Sequence, residues 1–180
     1  MLQFYNFSLF LFFLCIRVAS CWNPKARLWI KGRKNIFPLL EKNFSNVSKK
    51  TIWMHCASLG EFEQGRPLLE AIKEAYPNCI ILLTFFSPSG YEIRKNYAGA
   101  DFVFYLPADS NKNAQRFLKI TRPDLAIFIK YEFWYHYLTQ LKENKIPTLL
   151  VSAIFRKSQP FFKAYGGFWR KMLSCYHFIF

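Results

Sequence analysis

A carboxylate stands directly after a Ser-Leu-Gly turn in the stretch WMHCASLGEFEQG, at Glu61. It can act as a general base, because a carboxylate takes a proton from a hydroxyl nucleophile that lies within hydrogen-bond reach. It can equally be a first-turn residue whose charge the helix dipole stabilises by about 0.3–1 kcal/mol. Spacing alone leaves both roles open, and the dipole is expected to favour the ionised form of Glu61 in either one.

Two other turns repeat this arrangement of an apolar run followed by polar residues. The three turns span residues 58–61, 87–90 and 130–134. Backbone N–H groups at helix N-termini bind anions, serine hydroxyls add partners for sugar or phosphate oxygens, and glycine allows a tight turn and close approach of a substrate. The substrate-binding residues predicted in the first two turns are Ser58, Gly60, Ser87 and Ser89.

Most other chemical signatures are missing from the sequence. It has no phosphate loop, dinucleotide fingerprint or Ser-centred nucleophile elbow. Five widely spaced cysteines and three unclustered histidines predict neither a disulfide framework nor a metal site, and they fit a reducing compartment. His55 lies within an apolar run and is interpreted as a core histidine, whereas Glu63 is interpreted as a solvated residue.

The segments between these turns alternate between apolar runs and helical spacing. The first run, at 51–58, precedes a predicted helix at 61–75. The other predicted strands are 79–87, 101–107, 123–130, 147–153 and 176–180, and the other predicted helices are 88–97, 110–120, 132–145 and 160–174. This alternation indicates an α/β fold with a Rossmann-like, doubly wound parallel sheet. Ligands bind beyond the carboxyl ends of such strands, so adjacent strands would open the three turns on one crevice.

The first fifty residues combine an apolar run, at 4–16, with a cluster of positive charge. The whole chain carries a formal charge of +14, which favours anionic partners. The basic residues follow the apolar run, so the positive-inside rule leaves the body of the protein in the cytoplasm. We predict a membrane anchor or interfacial helix over 1–22, a basic linker or helical segment over 23–50, and the sheet domain over 51–180.

Both ends of the chain allow more than one interpretation. The N-terminal run is also compatible with a buried amphipathic helix, and VASC at 18–21 with a lipoprotein cleavage box. The chain ends in the apolar run YHFIF, at 176–180, with no covering helix or polar tail. We therefore expect it to be truncated, or to be half of a longer protein, rather than to finish on a natural terminal strand.

Five segments follow one another in a characteristic order. They read HCASLGEFEQGRPLL, LLTFFSPSGYE, YLPADSNKNAQRFL, PDLAIFIKYEFW and IPTLLVSA. In this order they resemble the N-terminal half of the bacterial 3-deoxy-D-manno-octulosonic acid (Kdo) transferases of lipopolysaccharide synthesis. The opening is similar as well, because that family begins with an apolar anchor followed by a basic motif, which reads LWIKGR here. The resemblance covers nearly the whole chain.

The resemblance implies a two-domain glycosyltransferase of the GT-B type. Its N-terminal Rossmann-like domain binds the acceptor, and CMP-Kdo is expected to bind mainly a C-terminal domain that lies beyond this chain. The glutamate of the family's A-S-x-G-E motif acts as general base and falls on Glu61. It would deprotonate a sugar hydroxyl of the lipid A precursor (lipid IVA), so that the oxygen attacks the anomeric carbon of Kdo and CMP departs with inversion. No cofactor and no metal are implied.

The sequence departs from the family at one position of the site. Many members carry Glu-x-Glu before the aromatic pair, and the first Glu is taken to stabilise the transition state. Here these positions are Lys130 and Glu132. A lysine could still contact a donor carboxylate or phosphate, so the resemblance leaves the role of Lys130 open and gives Glu132 a supporting role.

The implied partners are the lipid A precursor and the anionic lipids of the cytoplasmic face of the inner membrane, which the basic flank would attract. No nucleic-acid motif accompanies the positive charge, so nucleic acid is not an expected partner. Without a nucleotide-binding half, the chain alone is not expected to transfer sugar. The alternative function is therefore a noncatalytic, membrane-associated module that binds lipids or anions.

Overall fold

Six parallel strands form one sheet in the order β3-β2-β1-β4-β5-β6 in the computed structural model, which describes all residues from Met1 to Phe180. The strands are β1 Thr51–Cys56, β2 Ile80–Phe85, β3 Phe102–Tyr105, β4 Leu125–Ile129, β5 Thr148–Val151 and β6 Phe178–Ile179. The helices are α1 Leu2–Ala19, α2 Pro24–Arg33, α3 Ile36–Phe44, α4 Leu59–Ala75, α5 Pro88–Arg94, α6 Asn111–Thr121, α7 Tyr135–Glu143 and α8 Gly167–Leu173. The predicted doubly wound parallel sheet is confirmed.

The strands are apolar without interruption because both faces of the sheet are covered. Successive side chains of a strand point to opposite faces, so Trp53 packs on one side with α6 and α7, and Met54 packs on the other with α4. Trp53 contacts the rings of Phe117 and Phe128 at centroid distances of 4.8 and 5.2 Å. This packing fixes the strands, and thereby the turns at their carboxyl ends.

Several of the predicted helices have different bounds, and two of these differences have a physical cause in the structure. The helix predicted at 132–145 begins only at Tyr135, because the Asp109 carboxylate accepts hydrogen bonds from the backbone N–H groups of the next two residues. The helix predicted at 160–174 is divided into a 3-10 turn over Pro160–Phe162 and α8. The adjacent glycines Gly166 and Gly167 disfavour a helix that continues from the 3-10 turn into α8. The last strand is also shorter than predicted.

The N-terminal residues form three helices that lie against the sheet domain. In α1 no residue is buried, so the alternative of a buried helix is wrong. One side of α1 contacts the domain, where Phe13 stacks on Trp29 of α2 with ring centroids 5.5 Å apart. By length and composition, α1 is the one helix that could cross a membrane. Helix α3 buries Leu40 and Phe44 in the core beside the sheet.

Two glycines of α4 are expected to respond in opposite ways to alanine. A Cβ at Gly65 would lie 2.8 Å from Cγ1 of Ile129, a fully buried residue of β4. Gly65→Ala should therefore lower the free energy of unfolding by about 1–3 kcal/mol. Nothing lies within 4 Å of a Cβ at Gly60, and helices favour alanine, so Gly60→Ala should be neutral or stabilising. Urea unfolding measures the free energy of unfolding of both variants. Equal changes in the two variants would contradict the close packing of α4 on β4.

Candidate functional site

The carboxyl ends of β2, β1 and β4 lie side by side because these strands are neighbours in the sheet. The strand order reverses between β1 and β4, which is where open α/β sheets bind ligands. The backbone N–H of Ser87 donates to the carbonyl of Ala57 at 2.7 Å, which joins the first two turns. The rings of Phe86 and Trp134 lie 4.7 Å apart and join the second turn to the third. The three predicted turns therefore lie together at the carboxyl edge of the sheet, and the space between them is called the crevice below.

Glu61 lies in the first turn of α4, beside this crevice, and is partly exposed. Its Oε2 accepts hydrogen bonds from the backbone N–H groups of Ala57 at 2.5 Å and of the N-cap residue Ser58 at 3.1 Å. Both bonds go to the same oxygen, and Oε1 accepts none within the chain. The sequence Ser-x-x-Glu produces this arrangement, because a glutamate three residues after an N-cap reaches back to the N-cap backbone. One carboxylate oxygen is thus held, and the other is available to a substrate.

Glu132 is the second carboxylate of the crevice and is only 4% exposed. Its Oε2 lies 3.1 Å from Nε2 of the fully buried His55, without the alignment of a well-formed hydrogen bond. It also accepts a hydrogen bond from the indole N–H of Trp134. On the other side of the ring, His55 Nδ1 lies 2.9 Å from Oγ1 of Thr84. The loop after β4 therefore places a buried carboxylate over a buried imidazole, next to Glu61.

The two carboxylates interact electrostatically. Burial is the main cause of a raised pKa of Glu61, and the negative charge of Glu132 adds to it. The hydrogen bond from Ala57 and the proximity of His55 act in the opposite direction and are weaker. Burial and the charge of Glu132 therefore act in the direction opposite to the helix dipole, which favours the ionised form of Glu61. A raised pKa makes the Glu61 carboxylate a stronger base.

Lys130 follows β4 and has a left-handed backbone, with φ of 74°. Non-glycine residues rarely adopt this conformation, and they often lie at functional sites when they do. Its backbone N–H continues the sheet by donating to the carbonyl of Val151 at 2.8 Å. The ammonium group forms no ion pair within the chain and is partly exposed. The structure thus leaves the Lys130 side chain available to a ligand, and it does not place it in contact with either carboxylate.

The four predicted substrate-binding residues lie at the N-termini of α4 and α5. Ser87 is the N-cap of α5, and its Oγ lies 2.9 Å from Oγ of the exposed Ser89. Ser58 is the N-cap of α4, and Gly60 is exposed in its first turn. Gly60 has no positive φ, so a tight turn is not the reason for glycine there. The open space around its Cα remains compatible with close approach of a substrate.

The structure changes the interpretation of two residues, His55 and Glu63. His55 is buried as predicted, but it belongs to the site because it lies between Thr84 and Glu132. Glu63 is not simply solvated, since it pairs with Arg94 at 2.6 Å and with Arg66 at 3.3 Å. A histidine inside a strand gives no local signal of its partners, so only the strand order could have revealed this role. No group of three or more His, Cys, Asp or Glu residues is arranged to hold a metal ion.

Removal of the Glu132 charge should lower the pKa of Glu61. We expect this for Glu132→Gln because the amide keeps the shape and can still accept from the Trp134 indole, while the repulsion that raises the Glu61 pKa disappears. Carboxyl-selective NMR titration measures the pKa directly. Glu63→Gln, a change of equal charge on the outer side of α4, is the matched control. An unchanged or higher Glu61 pKa in the Glu132 variant would contradict the proposed electrostatic coupling.

The chain is similar in sequence to several known transferases. It is 30% identical over 142 residues to the 3-deoxy-D-manno-octulosonic acid transferase of Haemophilus influenzae, covering 78% of this chain and 32% of that protein. It is 32% identical over 127 residues to that of Aquifex aeolicus, covering 68% and 34%. A bifunctional glycosyltransferase/methyltransferase of Fusobacterium nucleatum is 27% identical over 142 residues, covering 75% and 22%. The chain spans about a third of the length of the first two relatives.

The parallel sheet, with its switch point between β1 and β4, defines a Rossmann-like α/β domain. Residues 23–180 match the family model described as 3-deoxy-D-manno-octulosonic-acid transferase (kdotransferase). The chain therefore belongs to the Kdo transferase family, as its motifs predict.

Proposed function

We propose that the protein to which this chain belongs transfers Kdo from CMP-Kdo to the lipid A precursor lipid IVA with inversion, and that Glu61 is the general base. The main observation behind this proposal is the hydrogen bonding of the two oxygens of the Glu61 carboxylate. The side chain is partly exposed, Oε1 accepts no hydrogen bond within the chain, and two backbone N–H groups hold Oε2. Membership of the Kdo transferase family supports the substrate class.

In this mechanism, Glu61 Oε1 accepts the proton of an acceptor sugar hydroxyl as the oxygen attacks the anomeric carbon. A hydroxyl is a poor nucleophile at neutral pH, and a positioned base contributes about 10²–10⁴-fold to such a step. Glu132 raises the proton affinity of Glu61 and has a positioning role through His55. The Lys130 ammonium and the hydroxyls of Ser87 and Ser89 would bind anionic or sugar groups at the rim. CMP-Kdo would be held mainly by residues beyond this chain.

Helix α1 supports a location on the cytoplasmic face of the inner membrane. Phe4, Phe7, Leu11, Leu14 and Val18 are exposed and lie along one stripe of the helix. The opposite side contacts the domain through Tyr5 and Phe13. A helix that is docked along one side and apolar along the other suits the plane of a membrane interface. The exposed Lys25, Arg27 and Lys31 of α2 would then face anionic headgroups, each contributing about 1 kcal/mol near the surface.

The proposal is tested with the complete product of the reading frame that contains these residues. The purified protein is incubated with CMP-Kdo and lipid IVA in detergent, and the lipid product is analysed by mass spectrometry. We expect a mass increase by Kdo and release of CMP, with no product when CMP-sialic acid replaces the donor. No Kdo-containing product at any enzyme concentration would overturn the assignment. Binding of lipid IVA without transfer by that complete protein would favour the noncatalytic alternative.

A further inference from the structure

A cavity of about 620 Å³ lies between α1, α2, α3 and the loop that precedes α6. It is separate from the Glu61 crevice, since none of the crevice residues lines it. Its walls are mainly apolar, with Phe10 and Phe13 from α1 and Ile30 and Phe37 from α2 and α3. Pockets for small amphipathic ligands have volumes of about 300–1,000 Å³. The cavity has room for one acyl chain with its headgroup, and not for a disaccharide that carries several chains.

Arg33 contributes a positive charge to this cavity and has no acidic partner. Its Nε donates to the carbonyl of Leu106 at 2.9 Å, and its Nη2 donates to that of Phe86 at 2.7 Å. The guanidinium lies 3.7 Å from the ring centroid of Trp29 and 4.7 Å from that of Tyr105. Desolvation by these surroundings lowers the pKa of Arg33 from its usual value to about 9. A desolvated cation without a counter-ion is costly, and a bound anion would offset that cost.

The other charged side chains of the cavity lining are also positive and can donate hydrogen bonds. Arg17 and Arg116 also line it, and no aspartate or glutamate does. Arg116 is paired outside the cavity with Glu41, whereas Arg17 has no ion pair. The indole N–H of Trp29, a residue that is 7% exposed, is buried without an acceptor. Three arginines and an unpartnered buried donor are complementary to an anionic group, and the apolar walls are complementary to a hydrocarbon chain.

The cavity is bounded by the helix that carries the exposed apolar stripe. Phe10 and Leu14 of α1 line it and are themselves 61% and 45% exposed. A ligand that enters beside them comes from the side where the stripe would meet lipid. A soluble anion would leave these aromatic walls without an apolar partner, and a neutral lipid would leave the arginines without an anionic partner.

We propose that this cavity binds one anionic phospholipid of the surrounding membrane, with its phosphate at Arg17 and Arg33 and an acyl chain between α1 and α3. This site goes beyond the acceptor crevice, and binding does not depend on sugar transfer. The bound lipid joins α1 to the domain, so the membrane composition controls how firmly the N-terminal helix is attached.

The test measures lipid binding by the full 180-residue chain in neutral detergent, using isothermal titration calorimetry. The probes are dioctanoylphosphatidylglycerol, dioctanoylphosphatidylcholine and inorganic phosphate. Arg17→Gln removes one charge from the cavity, and Ala108→Trp fills the cavity without changing its charge. Lys31→Gln, an exposed residue of α2 outside the cavity, is the control for the loss of one surface charge. Circular dichroism melting checks that each variant is folded.

We expect phosphatidylglycerol to bind at least tenfold more tightly than either other probe, because only it combines the charge with the chain. Arg17→Gln and Ala108→Trp should each raise its Kd by at least tenfold, whereas Lys31→Gln should change it by less than twofold. Equal binding of phosphatidylcholine, or equal binding of inorganic phosphate, would overturn the proposal. It would also be overturned if Arg17→Gln bound as the wild type does, or if Lys31→Gln lost as much affinity as Arg17→Gln.

Discussion

Replacing Glu61 with glutamine is expected to lower Kdo transfer by the complete protein by about 10²–10⁴-fold, which is the usual contribution of a general base. The amide oxygen can still accept the hydrogen bonds from Ala57 and Ser58, so the start of α4 and the fold should be retained. The variant therefore separates loss of proton acceptance from loss of structure. Turnover is measured at saturating lipid IVA, and acceptor binding is measured separately.

The matched control is Glu63→Gln, which removes the same charge from the same helix. Glu63 forms partly exposed ion pairs with Arg66 and Arg94, and ion pairs near the surface contribute about 0–1 kcal/mol. Turnover should therefore be close to that of the wild type. Transfer by wild-type protein should also fall as the pH falls through the Glu61 pKa, which lies above 4.5, because the base must be ionised. Wild-type turnover in Glu61→Gln would contradict the role as base.

Replacing Asp109 with alanine is expected to destabilise the domain by about 2–6 kcal/mol. This carboxylate is 3% exposed and accepts from the backbone N–H groups of His136 and Tyr137 at 3.2 and 3.1 Å. Alanine would leave both donors buried without a partner, at a cost of about 1–3 kcal/mol each. Chemical unfolding in urea measures the change. Because α7 then loses the residue that fixes its start, the preceding loop with Glu132 should also become less ordered.

Tyr5→Phe is the comparison that removes the hydrogen bonds of α1 through the Tyr5 hydroxyl. This hydroxyl donates to Asp109 Oδ2 at 2.5 Å and accepts from the Tyr135 backbone N–H at 3.3 Å, and phenylalanine keeps the ring while removing both bonds. We expect the free energy of unfolding to fall by at most about 1.5–3 kcal/mol, since hydrogen bonds to charged groups contribute in that range. If Asp109→Ala cost no more than Tyr5→Phe, the carboxylate would serve only to attach α1, and its role at the start of α7 would be contradicted.

Much of the fold could be predicted from the sequence, because its determinants are local. Continuous apolar runs such as TIWMHC and IILLTF have both faces buried, and helical spacing between them indicates parallel strands. The Ser-x-x-Glu pattern at Ser58 and Glu61 likewise indicates a helix start whose glutamate folds back. The start of α7 could not be predicted in this way, because Asp109, which fixes it, is far away in sequence.

The electrostatics of the site depend on contacts between distant segments for the same reason. The helix dipole acts on Glu61 from within its own helix, and this is the only influence that spacing reveals. The charge of Glu132, which adds to the rise in the Glu61 pKa caused by burial, comes from a loop seventy residues further on. The proximity of His55 and Glu132 follows from the pairing of β1 with β4, and the spacing of residues along the sequence does not reveal it.

The attachment of α1 has a consequence for how a substrate arrives. Tyr5 and Asn6 fix the helix to Asp109 and His136, at the same edge of the sheet where the crevice opens. If the free stripe of α1 rests in the bilayer, the height of the crevice above the lipid headgroups is set by the protein and cannot vary. A lipid acceptor would then search for Glu61 by lateral diffusion in two dimensions, with its acyl chains still in the membrane.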